Sequence, residues 1–264
     1  MRDVLINLLA SAVAAAVAWT AQYLVRYRRI ARKRAFFGVV PGAEVLLFVA
    51  KHFSAPSPRS VHRNDVASLV ELATTIRECG GLPTLVVSDE ERKQAGRATE
   101  FCIGGPSANP RTAAHVRVAL PGVRFHEGEY DTALPFRVGE REFRRVANAE
   151  EFVLVARVRP TASAAPVFIL AGQTALDNLG AARFLTANSR RLRKEFGKRD
   201  FCLVLGLREP SSFGADHVHL VADVSGSAFA APPATESGDK VVDATMAAVS
   251  RATAAADAET APER

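Results

Sequence analysis

The sequence has 264 residues but only three cysteines and one tryptophan. Cys79, Cys102 and Cys202 form no C-x-x-C pair. Their odd number excludes a fully paired disulfide framework, so they read as buried, reduced thiols of a cytosolic domain. Other signatures are missing too. No Gly-Lys-Ser/Thr ends a glycine-rich loop, which excludes a Walker loop. No G-x-G-x-x-G occurs, which removes the usual support for a bound dinucleotide. No G-x-S-x-G elbow is present, against an ordinary α/β-hydrolase. No ligand set for a metal stands out, and no cofactor fingerprint.

Charge is absent from one long stretch and one-sided in the next. Val4 to Val25 holds 22 residues without a charge, about 33 Å as a helix, against a bilayer core of about 30 Å. Trp19 and Tyr23 lie toward its basic end, where amphipathic rings favour an interface. Arg26 to Arg34 comes next, with six positive and no negative charges. A signal peptide places its charge before the apolar run and a cleavage site after it. Here the order is reversed, so residues 4–25 are expected to form a transmembrane helix and 26–41 a basic juxtamembrane connector. The positive-inside rule then places the C-terminal domain in the cytoplasm, behind the inner membrane. The bilayer is the expected partner of residues 4–25 and of the basic segment 26–34, which also touches anionic headgroups. The whole chain carries +6, yet without the basic run Lys+Arg and Asp+Glu stand equal. The basic character is therefore local, and nucleic acid is not an expected partner.

Beyond the basic run, strand and helix alternate. Val45 to Ala50 is a continuous apolar run, as in a strand buried on both faces. Val66, Leu69, Val70, Ala73 and Ile76 have helical spacing. Asn64 or Asp65 is the expected cap, and Gly80-Gly81 the stop. Strands are expected at Leu85–Val87, Phe101–Ile103 and Val123–Phe125, with a helix from Asn109 to Leu120 and a helix or loop at Glu90–Arg97. This order predicts βαβ units on a parallel sheet. Phe136–Val138 and Arg141–Val146 alternate around Gly139-Glu140, which suits a hairpin. Phe152–Val158 and Val167–Leu170 complete an antiparallel excursion appended to the sheet. A long helix after Thr174, then strands at Phe201–Leu207 and Val218–Val224, return the chain to α/β. Residues 42–225 form the expected domain. Residues 226–264, rich in Ala and Pro, read as a disordered tail with a weak helix at Lys240–Ala254.

Two junctions share a strand–Gly–helix pattern. In the first, Gly104, Gly105 and Pro106 end a buried strand, and Asn109 precedes Pro110, a cap followed by the favoured N1 residue. Free N–H groups of that first turn are expected to face a ligand above the sheet edge, with Arg111 adding charge. In the second, Gly172 is followed by the polar Gln173 and Thr174, and Thr174 stands in capping-box spacing to Asp177. Glycines that only make turns are the alternative. Gly104-Gly105-Pro106, Asn109, Thr112, Ala171-Gly172 and Gly180-Ala181-Ala182 resemble an uncharacterised group of bacterial Rossmann-like domains, some with an N-terminal membrane helix. The likeness spans Val45 to Leu207. In that group a Gly-Thr pair precedes the Ala-Ala, where this sequence has Leu179-Gly180. The resemblance implies a Rossmann-like three-layer α/β sandwich behind one transmembrane helix, and no established activity.

Several other residues have the chemistry for a site. His52 follows the first strand at the sheet's carboxyl end and is a candidate ligand contact. His217 and His219 share the parity of a metal pair but lack further ligands. Glu127, Glu129 and Asp131 are candidate carboxylates for acid–base work. Arg190, Arg191, Arg193, Lys194, Lys198 and Arg199 suit a helix C-terminus and a solvated face, or one resting on anionic lipid. The expected function is a membrane-anchored module that binds or senses a nucleotide-like or other anionic small molecule through Gly104, Gly105, Pro106, Asn109, Gly172, Gln173, Thr174 and His52. Two alternatives stand beside it. One is an enzyme cleaving a nucleoside or glycosyl bond in the same cleft. The other is a partner-binding membrane protein without a small ligand. No residue is assigned a catalytic part, and the oligomeric state is left open.

Overall fold

The computed structural model describes residues 2–52, 57, 60–87, 97–126, 132–159, 161 and 164–231. The chain divides into two units after Ala230. The expected weak helix at Lys240–Ala254, the acidic group Glu127, Glu129 and Asp131, and most of Glu90–Arg97 lie outside the described residues.

The first element is one unbroken helix, α1 (Arg2–Phe37). The basic segment expected as a connector is part of it, because no glycine or proline interrupts the run before Gly38. Gly38, at φ +67°, turns the chain out of the helix, and Val39 N–H closes the last turn on the Arg34 carbonyl at 3.1 Å. Phe36 and Phe37 are buried in the domain core, whereas residues 11–29 are exposed throughout. Among the described residues no helix is long and apolar enough to cross a membrane. The side chains of Leu5, Leu8 and Ala10, inside the apolar run, fall outside that description.

The domain is a mixed α/β sandwich. Its strands are β1 (Glu44–Val49), β2 (Leu82–Val87), β3 (Thr99–Ile103), β4 (Val123–Phe125), β5 (Phe136–Val138), β6 (Arg141–Phe143), β7 (Glu150–Val158), β8 (Val167–Gly172), β9 (Phe201–Arg208) and β10 (Val218–Asp223). Helices α2 (Arg63–Glu78), α3 (Pro110–Ala119), α4 (Ala175–Phe196), α5 (Pro210–Phe213) and α6 (Ser225–Phe229) connect them. The main sheet has seven strands in the order β10-β9-β7-β8-β3-β1-β2. Strands β2, β1, β3 and β8 run parallel, while β7 is antiparallel to both β8 and β9.

Alternation along the strands divides the core in two, since successive side chains leave opposite faces. Val45, Leu47, Phe101, Phe168 and Leu203 meet α2, α4 and the end of α1 on one face. Leu46, Phe48, Cys102, Ile169 and Val204 face α3 and the small sheet on the other.

Three expectations are corrected. Val123–Phe125 is not a parallel strand of the main sheet but β4, which pairs antiparallel with β5 in a separate three-stranded sheet. The antiparallel excursion is split. The hairpin β5–β6 joins that small sheet, while the long apolar β7 sits in the middle of the main one. Finally, the folded unit continues past Ser225. Gly122 N–H donates to the Ala228 carbonyl at 3.0 Å, and Ala228 is fully buried. A side chain at Gly122 would collide with the Ser227 carbonyl, so that glycine lets α6 close over the end of the small sheet.

Candidate functional site

At the first junction the structure turns the expected anion cradle into scaffold. Gly104 adopts φ +103°, and a Cβ there would stand 2.4 Å from Ala50 Cβ. Its hydrogen is needed for β1 and β3 to close up. Asn109 caps α3 and is fully buried. Its Oδ1 accepts from Arg111 N–H at 3.0 Å and Thr112 N–H at 3.2 Å. Its Nδ2 donates to the Ile103 carbonyl at 3.0 Å. Thr112 Oγ1 donates to the Gly104 carbonyl at 2.9 Å. Pro110 has no N–H to offer, and Ala113 N–H is taken by the Asn109 carbonyl. The first turn of α3 therefore keeps no free N–H for a ligand. Arg111 is also turned away: its guanidinium holds both oxygens of Glu100, at 2.6 and 2.9 Å. Gly105 and Pro106 are half-buried at the edge.

The second junction is equally self-satisfied. Gly172 N–H donates to Asn178 Oδ1 at 2.8 Å. Gln173 Nε2 donates to the carbonyls of Leu134 at 2.9 Å and Phe143 at 3.2 Å, and its Oε1 accepts from Phe152 N–H at 2.8 Å. Gln173 thus ties the small sheet to the main one. Thr174 forms the expected capping box with Asp177. Its hydroxyl also lies 3.0 Å from Glu151 Oε2 and 3.0 Å from Asp177 Oδ2.

That hydroxyl has one proton and two carboxylate neighbours, so the second contact needs a proton from the acid side. Burial first, then the Glu151 charge, push Asp177 well above the usual carboxylate range. Arg145 Nε pairs with Glu151 at 2.6 Å. Asp177 Oδ1 is buried without a hydrogen-bond partner.

The two junctions come together. β3 and β8 are parallel neighbours, with Ile103 opposite Leu170. A Cβ on Gly105 would meet only the Gly172 carbonyl, at 3.7 Å. β1 lies on the other side of β3, and its exit brings His52. The His52 and His62 rings are 5.4 Å apart. His62 caps α2 in place of the expected Asn64 or Asp65, since its Nδ1 accepts from Asn64 N–H at 3.2 Å. The histidine's own burial first, then the neighbouring His52 and Arg63, lower the His62 pKa. Asp65 turns inward instead, and its Oδ1 accepts from Asn178 Nδ2 at 2.9 Å. Burial raises Asp65 to about 6, against the Asn178 hydrogen bond and the nearby His52. Asn178 therefore links Gly172 to Asp65 and joins α4 to α2.

The carboxyl edge of β1, β3 and β8 thus carries Gly105, Gly172 and His52. It also carries Asp65, His62, Glu151, Asp177 and Asn178, which the sequence had not marked as site residues. The signal for Asp177 was its capping spacing. For Glu151 it was an acid at the head of a long apolar strand. Asp65 and Asn178 are 113 residues apart, and nothing local pairs them.

Glu100, Cys102 and His115 place one ligand atom each within 4.8 Å of one another. Arg111 already holds both Glu100 oxygens, and His115 Nε2 is 3.0 Å from one of them. A cation in that spot would face a guanidinium, so the residues do not fit a metal. Burial alone would raise Glu100, but the His115 and Arg111 hydrogen bonds outweigh it and hold the carboxylate below its usual range. Burial pushes the Cys102 thiol far up, which makes it a poor ligand. His217 stacks on Phe213 at 4.1 Å, while the His219 ring lies over Gly206; they make no shared site. A shallow groove of about 460 Å³ lies away from the junctions, between α4 and β10, lined by residues that include Arg183, Arg191, Asp216 and His219.

A scan against protein-family models finds no match, and a search of curated proteins finds no relative.

Proposed function

We propose that the chain is a single-pass protein of the bacterial inner membrane whose cytoplasmic domain binds a nucleotide-like small molecule at the carboxyl edge of β1, β3 and β8. The observation that carries the binding reading is the side-by-side placement of the two glycine junctions. Gly105 leaves the end of β3 free of a side chain beside the Gly172 carbonyl, where open α/β sheets take their ligands, whereas the space over Gly172 is filled by Thr174, Asp177 and Asn178.

The polar groups of this edge narrow the ligand. The first turn of α3 has no spare N–H, and the edge holds Asp65, Glu151 and Asp177. They are buried behind the edge and engaged within the fold, but their negative charge disfavours a nearby anion, so the sugar and base of a nucleoside suit the edge better than its phosphate. Calorimetry of the full chain against nucleosides and their monophosphates tests this. Binding of a nucleoside at least as tight as its monophosphate is expected, with Gly105→Val abolishing it. No heat from any of them removes the reading. The cleavage alternative rests on the Glu151–Asp177 pair, two carboxyl groups that meet at the Thr174 hydroxyl. Turnover of a bound nucleoside, lost in Asp177→Asn with binding kept, would favour it.

Two features support the anchor. The 22 residues from Val4 to Val25 carry no charge, and among the described side chains the large apolar ones are exposed, with Val4 at 70%, Leu9 at 65%, Val17 at 64% and Trp19 at 69%. Exposed apolar side chains along a helix call for an apolar surrounding, and residues 11–29 bury none of theirs against the domain. Retention in membranes through alkaline carbonate washing is expected; release into the supernatant removes this reading.

A further inference from the structure

We infer that the amino edge of the domain rests on an anionic lipid surface through the C-terminal part of α4, a docking that builds on the anchor reading. The height of the domain above the bilayer is set by α1. The helix has no break between Val25 and its seat on the domain, where Arg34 Nε donates to the Cys79 carbonyl at 2.7 Å and Lys33 pairs with Glu78 at 2.7 Å. Nine residues at 1.5 Å rise put that seat about 14 Å beyond the end of the uncharged run. The headgroup layer fills about 6 Å of this, which leaves a gap of about one Debye length at physiological salt.

The seat is firm. Phe36 lies 5.9 Å from Phe168 and 6.4 Å from Phe201. The Arg157 guanidinium packs over Phe36 at 5.2 Å and over Phe201 at 5.0 Å. The same guanidinium donates to the carbonyls of Gly197 and Arg199, so the turn that ends α4 is fastened beside the end of α1. That turn and the last turns of α4 carry Arg190, Arg191, Arg193, Lys194, Lys198 and Arg199, all exposed. Among the acids of this edge, Glu78 is paired with Lys33 and Asp200 with Arg159 at 2.6 Å, and Glu44 is half-buried. Glu195 is the one exposed acid in the α4 run. A strongly positive face, fixed by a rigid helix within a Debye length of the headgroups, complements anionic lipid. Nucleic acid meets the same charge but not the same geometry, because the membrane already occupies the space before this face.

The test uses the full chain with a fluorophore at Glu195→Cys, reconstituted into vesicles of phosphatidylcholine alone or with a quarter phosphatidylglycerol. The three native thiols are buried and do not compete for label. Energy transfer to headgroup-labelled lipid should rise with phosphatidylglycerol. It should fall at least about twofold at about 0.5 M salt, where the Debye length is about 4 Å. Reversal of Arg190, Arg191, Arg193 and Lys194 to Glu should abolish the gain. Carbonate-resistant protein with transfer indifferent to lipid charge and salt overturns the docking while the anchor stands. Release by carbonate with salt-sensitive binding to phosphatidylglycerol vesicles keeps the docking and removes the anchor. Release with no such binding removes both.

Discussion

The two edges of the main sheet solve opposite problems. At the amino edge a whole cation is buried: Arg157 is 1% exposed, packs against two stacked phenylalanine rings, and has its Nε without a partner. Burial, with help from the charge of Arg159, lowers its pKa to about 10. The guanidinium gives its hydrogen bonds to the chain's own carbonyls and packs against Phe36 and Phe201, so the edge is rigid and closed. At the carboxyl edge the buried charges are acids, and two of them are raised toward neutrality. Their partners are caps and amides that hold junctions in place, yet Gly105 leaves the end of β3 bare. One edge is built to hold an element, the other to leave a gap.

The harshest way to break this contrast is Gly104→Val. It forces a β-branched residue to φ +103° and drives its Cβ into Ala50, costing about 4 kcal/mol and closing the carboxyl edge by unfolding it. Arg157→Ala strips the amino edge of its clamp and leaves two carbonyls and an aromatic slot empty. About 3 kcal/mol of stability should be lost in denaturant melts, with α1 loosened before the sheet, visible as early proteolysis near Phe37.

Asp65→Asn sharpens the comparison from the other side. The folded-state pKa of Asp65, about 6 against an ordinary 3.8, means that the native state holds this proton more tightly than the unfolded chain. Its contribution is present below about pH 4 and lost as pH rises through 6. Asparagine keeps the oxygen that accepts from Asn178. The variant should therefore be more stable than the parent at pH 7.5 by about 1–2 kcal/mol and equal to it at pH 4. A variant less stable at pH 7.5 would mean that the Asp65 charge is used. Smallest of all is Gly105→Val, where the new Cβ finds only ordinary contact with the Gly172 carbonyl. A stability change within about 0.5 kcal/mol is expected, which makes it the clean probe of the gap.

Much of the local structure was legible. Asn109-Pro110 announced a capped helix, Thr174-x-x-Asp177 a capping box, and Gly139-Glu140 a hairpin, because each is decided within a few residues. Gly104 and Gly105 were also marked, but their functions separate only in three dimensions: one lets β1 approach, the other faces the gap. Strand order was not legible. The apolar β7 has the pattern of a buried strand, and pattern alone does not say that it enters between β8 and β9, antiparallel to both. The candidate site suffered for the same reason. Asp65 meets Asn178, Glu151 meets Thr174 and Arg157 meets Phe36 across long stretches of chain. The expected anion cradle failed because side-chain oxygens of the caps already use the N–H groups that a helix start was expected to offer.

The central claim is that the carboxyl edge is a binding gap and the amino edge a structural clamp. Hydrogen exchange of the full chain in phosphatidylglycerol-containing vesicles, with and without saturating adenosine, tests it most directly. Protection gained at Gly104–Ala108 and Gly172–Leu176, absent in Gly105→Val and without change at Phe36 or Phe196–Phe201, is the predicted result. Unchanged exchange at both junctions, or protection appearing first at the amino edge, would contradict it.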